Sequence, residues 1–170
     1  MSKEMDQYEH DPERILICDD DPTLRRTIVK VLEKKNYSVT ACENGSEALD
    51  SVEKGFYDLI LLDIRMPDMD GIEVLEKIRS IQSGSNNSAI IIITGYASED
   101  APIKAIKLGA SDYIKKPFDL QTFLMSIERN ISLVRANKEK DFFFQQMVEK
   151  SRQLKLNEKE IQRLKNIKKT

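Results

Sequence analysis

The chain has 170 residues and a net charge of −2, and its 40% hydrophobic and 33% charged residues predict one globular domain with an appendage. Its longest apolar run, residues 89–93, is too short to cross a bilayer, and the N-terminal segment MSKEMDQYEHDPE lacks the apolar stretch of a secretory signal. These features exclude a membrane-spanning helix and predict a cytoplasmic protein in which Cys18 and Cys42 are reduced, buried thiols.

Short apolar runs alternate with amphipathic stretches between residues 14 and 134. Five runs rich in aliphatic residues predict buried strands, in the order RILIC, YSVTACE, YDLILLD, AIIIIT and SDYIK. Each run is followed by a stretch with helical spacing of its apolar residues, in the order PTLRRTIVKVLEKKN, GSEALDSVEKG, GIEVLEKIRSIQ, SEDAPIKAIKLG and FDLQTFLMSIERNISLV. Pro22 marks a helix start and Gly55 a helix end, while QSGSNNS is a polar surface loop.

This alternation predicts the fold class and the domain limits. Strands that are apolar throughout and separated by helices form a parallel sheet covered on both faces. Residues 14–134 are therefore expected to form a doubly wound α/β domain with a five-stranded parallel sheet. Residues 1–13 are expected to be a flexible tail, and residues 135–170 a long helical or coiled-coil segment that continues the fifth helix.

Polar side chains follow the carboxyl ends of four predicted strands, where ligands bind in sheets of this kind. These residues are Asp19, Asp20 and Asp21 after the first strand, Asp63 after the third, Thr94 after the fourth and Lys116 after the fifth. Three successive carboxylates repel one another unless a cation lies among them. Two classes of protein place acids there: an enzyme whose first aspartate attacks a phosphate ester, and a switch whose acids bind Mg²⁺ while another aspartate accepts a phosphoryl group.

The blocks ILICDDDP, DLILLDIRMPDMDG, IIIITG and LGASDYIKKPF, in this order and spacing, resemble the receiver domains of two-component response regulators. The resemblance covers about residues 14–134 and implies the flavodoxin-like fold. It also implies a switch that accepts a phosphoryl group from a histidine kinase or a phosphotransfer protein, with Mg²⁺ as cofactor. Such a domain accelerates its own phosphorylation and a slow hydrolysis, but it is not a turnover enzyme.

The resemblance assigns the acids. Asp63, which ends the third strand, corresponds to the phosphorylated aspartate. Asp19 and Asp20 correspond to the acids that serve Mg²⁺, Asp20 directly and Asp19 through water. The backbone carbonyl of Arg65, two residues beyond the acceptor, would also bind the metal, which in turn links Asp63 to the incoming phosphoryl oxygens.

The resemblance also assigns the switch. Thr94 and Lys116 correspond to the hydroxyl and the lysine that bind the phosphoryl group, and Tyr113 corresponds to the switch aromatic. When Thr94 bonds to the phosphoryl group, its loop would move inward and leave space for Tyr113 to rotate from exposed to buried. The bond between Lys116 and Pro117 resembles the cis peptide of the family, which would aim the lysine inward.

Two alternatives stand beside this interpretation. Read as D-x-D-x-T-L, the DDDPTL segment resembles the first motif of haloacid-dehalogenase-type phosphatases, with Asp19 as nucleophile and Asp21 as acid/base. That family needs a further acidic strand end after its lysine, whereas Lys116 is followed by one acid at a helix start, Asp119, and then only by helix. The other alternative is a receiver domain that binds metal without switching and acts as a dimeric scaffold.

The segment 135–170 predicts a parallel homodimer. A heptad register there places Met147, Leu154 and Ile161 at a, and Phe143, Lys150, Asn157 and Leu164 at d. Phe142, Phe143 and Phe144 are consecutive and cannot all face one seam. Eleven Lys and Arg against five acids give the segment a net charge of +6, but no nucleic-acid-binding motif accompanies it, so a solvated helix face is expected rather than nucleic-acid binding.

Overall fold

A computed structural model describes residues 11–82, 87–95 and 100–167, with side chains as far as residue 162. Most of the expected N-terminal tail therefore lies outside the described residues. So do four residues of the QSGSNNS loop and the first two residues of the predicted fourth helix.

Five parallel strands form one sheet in the order β2-β1-β3-β4-β5. The strands are β1 (Arg14–Cys18), β2 (Ser38–Cys42), β3 (Leu59–Leu62), β4 (Ala89–Thr94) and β5 (Asp112–Lys115). The first strand in the chain lies between the second and the third, so the chain winds from the middle of the sheet to one edge and then to the other. The predicted doubly wound, five-stranded parallel sheet is confirmed.

Five helices connect or follow the strands. They are α1 (Pro22–Glu33), α2 (Gly45–Lys54), α3 (Gly71–Ile81), α4 (Ala101–Lys107) and α5 (Leu120–Ile167). The long C-terminal helix is confirmed, since α5 has 48 residues. Helix α4 ends at Lys107, two residues before the predicted end, because Gly109 has a φ of +94° that α-helical backbone does not adopt.

The sheet separates two hydrophobic clusters. Alternate strand residues such as Leu16 and Ile60 pack with α2 and α3 on one face, whereas Ile17, Leu61 and their neighbours pack with α1 and the receiver-domain part of α5 on the other. Strands β3 and β4 are buried along their whole length, which explains why their sequences lack polar alternation. Both cysteines are buried free thiols, as predicted.

The chain divides into two compact units, Met1–Val134 and Arg135–Thr170. The second unit is helical as far as Ile167 and exposes most of its large apolar side chains. No helix among the described residues is both long and apolar enough to cross a membrane.

Candidate functional site

Three of the four predicted acids meet at the carboxyl edge of the sheet. Asp19, Asp20 and Asp63 can each offer a carboxylate oxygen such that the three atoms lie within 4.8 Å of one another. The pairing of β1 with β3 sets this approach, because the N–H of Asp63 donates to the carbonyl of Cys18 at 2.9 Å. Asp19 and Asp63 are buried, with exposed fractions of 2% and 5%, whereas Asp20 faces solvent.

The fourth acid has a different task. The side chain of Asp21 accepts hydrogen bonds from the N–H groups of Thr23 and Leu24 at 2.8 and 3.2 Å, so it caps the start of α1. These hydrogen bonds lower the pKa of Asp21. The run of three aspartates therefore serves two purposes: two acids belong to the strand-end cluster and the third begins the next helix.

Lys116 joins the two buried acids. Its ammonium nitrogen lies 2.6 Å from Asp19 Oδ2 and 2.6 Å from Asp63 Oδ2, and its backbone N–H donates to the carbonyl of Thr94 at 2.9 Å. The peptide bond between Lys116 and Pro117 is cis. Burial opposes the charge on Lys116, but the hydrogen bonds to both carboxylates outweigh it and raise the pKa of this lysine. Lys116 therefore stays charged at neutral pH.

The second oxygen of each buried carboxylate is also held. Asp19 Oδ1 accepts the N–H of Asp21 at 2.9 Å, and Asp63 Oδ1 accepts the N–H of Arg65 at 3.2 Å. Burial raises the pKa of Asp19, against the opposing effects of Lys116 and of the Asp21 N–H. Both carboxylates are thus fixed in orientation before any ligand arrives.

The remaining predicted residues surround this pair. Thr94 is the last residue of β4 and is buried. Tyr113 is half-buried on β5, and burial together with the negative charge of Asp63 raises its pKa. Arg65 is exposed and lines a cavity of about 370 Å³ beside Asp20. Thr94 therefore lies beside Lys116, Tyr113 lies close enough to Asp63 for the charge of that acid to act on it, and Arg65 lines the cavity beside Asp20.

Sequence reasoning missed two positioning residues, Arg25 and Asp68, and recognised Gly71 only as a turn residue in the loop after the acceptor. Arg25 donates to the carbonyl of Asp19 at 2.5 Å and lies 3.5 Å from a carboxylate oxygen of Glu43. Asp68 accepts hydrogen bonds at the start of α2, and Gly71 lies against the backbone of Asp63. Only Gly71 carried a sequence signal, since a glycine in the loop after the acceptor suggests a turn or a close backbone approach.

Asp68 fastens the loop after Asp63 to the start of α2. Its carboxylate accepts the N–H groups of Gly45 and Ser46 at 3.0 and 2.9 Å and the Ser46 hydroxyl at 2.8 Å. Slight burial acts to raise its pKa, but these hydrogen bonds prevail and lower it to about 2. An acid whose pKa is lower in the folded than in the unfolded state stabilises the fold above its unfolded pKa. That stabilisation is lost as the pH falls through the folded value.

We expect Asp68→Ala to lower the free energy of unfolding by about 1 kcal/mol at pH 7, the usual effect of losing a helix cap at an exposed position. The difference from wild type should shrink as the pH falls from about 4 to about 2. Urea titrations at several pH values measure it. Asp50→Ala is the matched control, since Asp50 lies within α2, the helix whose start Asp68 holds, and makes a 3.9 Å surface ion pair with Lys54. An equal effect of both substitutions would contradict the capping role.

Comparison with known proteins identifies the family. The sequence model of the response regulator receiver domain matches residues 15–128. The regulatory protein AtoC of Escherichia coli is 35% identical over 126 residues, which are 74% of this chain and 27% of AtoC. The chain spans between 27% and 55% of the length of such curated relatives.

Solved structures agree with this assignment. A response regulator receiver domain protein from Methanospirillum hungatei is 34% identical with a TM-score of 0.69, and the match covers 74% of this chain and 98% of that one. The response regulator TrrA from Thermotoga maritima, solved in complex with Mg²⁺-BeF, is 31% identical with a TM-score of 0.61, covering 69% and 98%.

The chain therefore belongs to the response regulator receiver domain family. Its described part is a receiver domain of the two-component systems with a long C-terminal helix. Response regulators receive their phosphoryl group from histidine kinases, and receiver domains bind Mg²⁺ in an acidic pocket.

Proposed function

We propose that this chain is a phosphoryl-accepting switch. Asp63 accepts a phosphoryl group from a histidine kinase or a phosphotransfer protein in a Mg²⁺-dependent reaction, and the resulting change reaches the C-terminal helix or a partner. The observation that carries the proposal is the ammonium of Lys116, 2.6 Å from the buried carboxylates of both Asp19 and Asp63, next to the exposed Asp20.

The donor set fits Mg²⁺. Asp19, Asp20 and Asp63 offer only oxygen atoms, which this hard cation prefers. The backbone carbonyl of Arg65 would add a further oxygen, because Arg65 lines the cavity beside Asp20. Three acids so close together carry more negative charge than Lys116 alone neutralises. When bound, Mg²⁺ supplies positive charge against these acids and against the oxygens of the arriving phosphoryl group.

The side chains of the site position the reacting groups. An oxygen of Asp63 forms a bond to phosphorus while the bond between phosphorus and the donor breaks, and the ionised carboxylate needs no base to remove a proton. The N–H of Arg65 holds the other carboxylate oxygen at 3.2 Å. Lys116 and the hydroxyl of Thr94 then pair with the phosphoryl oxygens, so that catalysis consists mainly of positioning and charge stabilisation.

Strand β5 transmits the conformational change from the phosphoryl site to α5. Thr94 moves toward the phosphoryl group, and Tyr113 turns further into the sheet edge. The carboxylate of Asp112 accepts the N–H of Tyr113, the hydroxyl of Ser126 and the guanidinium of Arg129, so it connects the switch strand to α5. Helix α5 in turn forms a homodimer with a second chain, and the phosphoryl-dependent change acts on that helix or on a partner.

The phosphatase alternative is disfavoured by the position of Asp21. In that mechanism the second acid of the motif donates and accepts protons, yet the Asp21 side chain caps α1 and has a lowered pKa. A phosphatase would release phosphate from small phosphoesters repeatedly, would lose activity in Asp19→Asn and would keep it in Asp63→Asn. The scaffold alternative expects metal binding without phosphorylation.

We expect Mg²⁺ to stabilise the wild-type fold by about 1.4 kcal/mol at ten times its dissociation constant, because only the folded chain assembles the three acids. Asp20→Asn should lose most of this effect. Asp21→Asn is the matched control, because asparagine is also a good helix cap and Asp21 lies outside the acid cluster. Urea titrations with Mg²⁺ or with a chelator measure the difference, and equal stabilisation of both variants would contradict the metal site.

The experiment that tests the proposal is the intact mass of the chain after incubation with a small phosphodonor. We expect a gain of one phosphoryl group when Mg²⁺ is present and none when a chelator removes it. No gain under either condition would favour the scaffold, and repeated release of phosphate would favour the phosphatase.

A further inference from the structure

Four apolar side chains form a narrow stripe along the second unit of the chain. Phe143, Met147, Leu154 and Ile161 are 62%, 70%, 58% and 51% exposed. At about 100° per residue they lie within about 40° of one another around the helix, over a length of about 27 Å. The last three are spaced at intervals of seven residues, which is the repeat of a coiled coil.

Polar residues interrupt the stripe in a regular way. Lys150 and Asn157 follow Met147 and Leu154 by three residues and occupy the same side of the helix. Among the other exposed apolar residues, Val148 and Leu156 lie on the far side of the helix, and Phe142 and Phe144 lie about 100° to either side of Phe143. A stripe with two positions per heptad matches the seam between two helices rather than the broader face that packs on a globular surface. We call the stripe with Lys150 and Asn157 the tail seam.

We propose that the tail seam is covered by the tail seam of a second copy of this chain, parallel and in register. This inference rests on the homodimer of the proposed function and specifies its geometry. In register, Asn157 lies beside Asn157 of the second copy, and each amide can donate to and accept from the other. The two Lys150 side chains can extend their ammonium groups into water while their stems cover the seam.

The antiparallel arrangement is less favourable for this sequence. An antiparallel overlap of residues 143–161 on themselves places Asn157 opposite Met147 and Lys150 opposite Leu154. Each polar group would then face an apolar side chain without a partner, which costs free energy at a buried position. The positions of Asn157 and Lys150 therefore favour the parallel register over this antiparallel overlap.

Leu154 and Leu156 offer a matched pair of substitutions. Both are leucines of α5 with an exposed fraction of 58%, but they lie about 200° apart around the helix. We expect Leu154→Asp in the full chain to weaken the dimer at least about a hundredfold, because it buries a charge in the seam, and Leu156→Asp to leave it unchanged. Analytical ultracentrifugation measures both. Equal effects of the two substitutions, or a wild-type chain that stays monomeric at high concentration, would overturn the inference.

Cross-linking tests the orientation. Met147→Cys and Ile161→Cys, prepared as separate single variants, should each form a covalent dimer under mild oxidation. The wild type should not, because Cys18 and Cys42 are buried. Failure of either variant to link to itself would overturn the parallel register. Intact mass after phosphodonor treatment of the same samples separates the two proposals. Failure to cross-link together with a normal gain of one phosphoryl group rejects only the dimer geometry. Normal cross-linking without a gain of a phosphoryl group rejects only the switch.

Discussion

Asp63→Asn should abolish the Mg²⁺-dependent gain of a phosphoryl group. The substitution keeps the size and shape of the side chain but replaces the nucleophilic carboxylate by an amide. Lys116 keeps its 2.6 Å contact with Asp19, so the fold retains one of its two buried charge pairs. Intact mass after treatment with the phosphodonor should therefore show the wild type labelled once and the variant unlabelled, under conditions in which both are folded.

The control for this result is Asp21→Asn, which changes an acid close to the cluster but outside it. We expect this variant to accept a phosphoryl group as the wild type does. Labelling of Asp63→Asn at the wild-type level would contradict the assignment of the acceptor. If that labelling were lost in Asp19→Asn, the phosphatase alternative would regain support.

Gly71→Ala should lower the free energy of unfolding by about 3 kcal/mol. A Cβ atom at this position would lie 2.0 Å from the carbonyl oxygen of Asp63 and 2.7 Å from the Cα of Ile64. Backbone atoms cannot rotate away as the end of a side chain can, so the surrounding chain must shift. We expect this shift to destabilise the fold by an amount at the upper end of the usual range for overpacking. Alanine favours the helix over glycine by only about 1 kcal/mol. The clash should therefore outweigh this gain, and the free energy of unfolding should fall. Urea titration measures the change.

Gly95→Ala is the control for this effect. A Cβ at Gly95 would meet the Cβ of Lys116 at 3.7 Å, which is ordinary van der Waals contact, and we expect a change within about 0.5 kcal/mol. Because the clash at Gly71 involves the carbonyl of Asp63, Gly71→Ala should also slow phosphoryl acceptance. A Gly71→Ala variant as stable as the wild type would contradict the close approach of these backbones.

The fold was predictable because its strands carry an unusually clear pattern. Residues 59–62 and 89–93 are apolar without alternation, which only strands buried on both faces require. The end of α4 was predicted less well. Its apolar spacing continues to Leu108, and the sequence does not reveal that Gly109 adopts a positive φ there.

The site was predictable where its residues lie at strand ends. Asp19, Asp63 and Lys116 meet because parallel strands bring their carboxyl ends to one edge, and the family motifs identified each of them. Asp68 and Arg25 escaped prediction because their functions depend on contacts outside the motifs. Asp68 accepts hydrogen bonds from residues 22 and 23 positions earlier in the chain. Arg25 donates to a backbone carbonyl, and because every residue has one, the sequence does not identify this partner.

The second unit shows a different limit. Its helix was predicted and is confirmed, but the structure of one chain does not show what covers exposed apolar residues such as Leu154. The heptad spacing indicates the partner class, and the polar positions Lys150 and Asn157 indicate the register. Both remain predictions that the matched leucine substitutions and the cross-linking variants decide.

The central claim is that Asp63 is the residue that carries the phosphoryl group. Treating the phosphorylated chain with borohydride reduces an aspartyl phosphate to homoserine, and peptide mass spectrometry then locates the reduced residue. We predict homoserine at position 63 and nowhere else, dependent on Mg²⁺ during phosphorylation. Homoserine at position 19 or 20, with position 63 unmodified, would contradict the account.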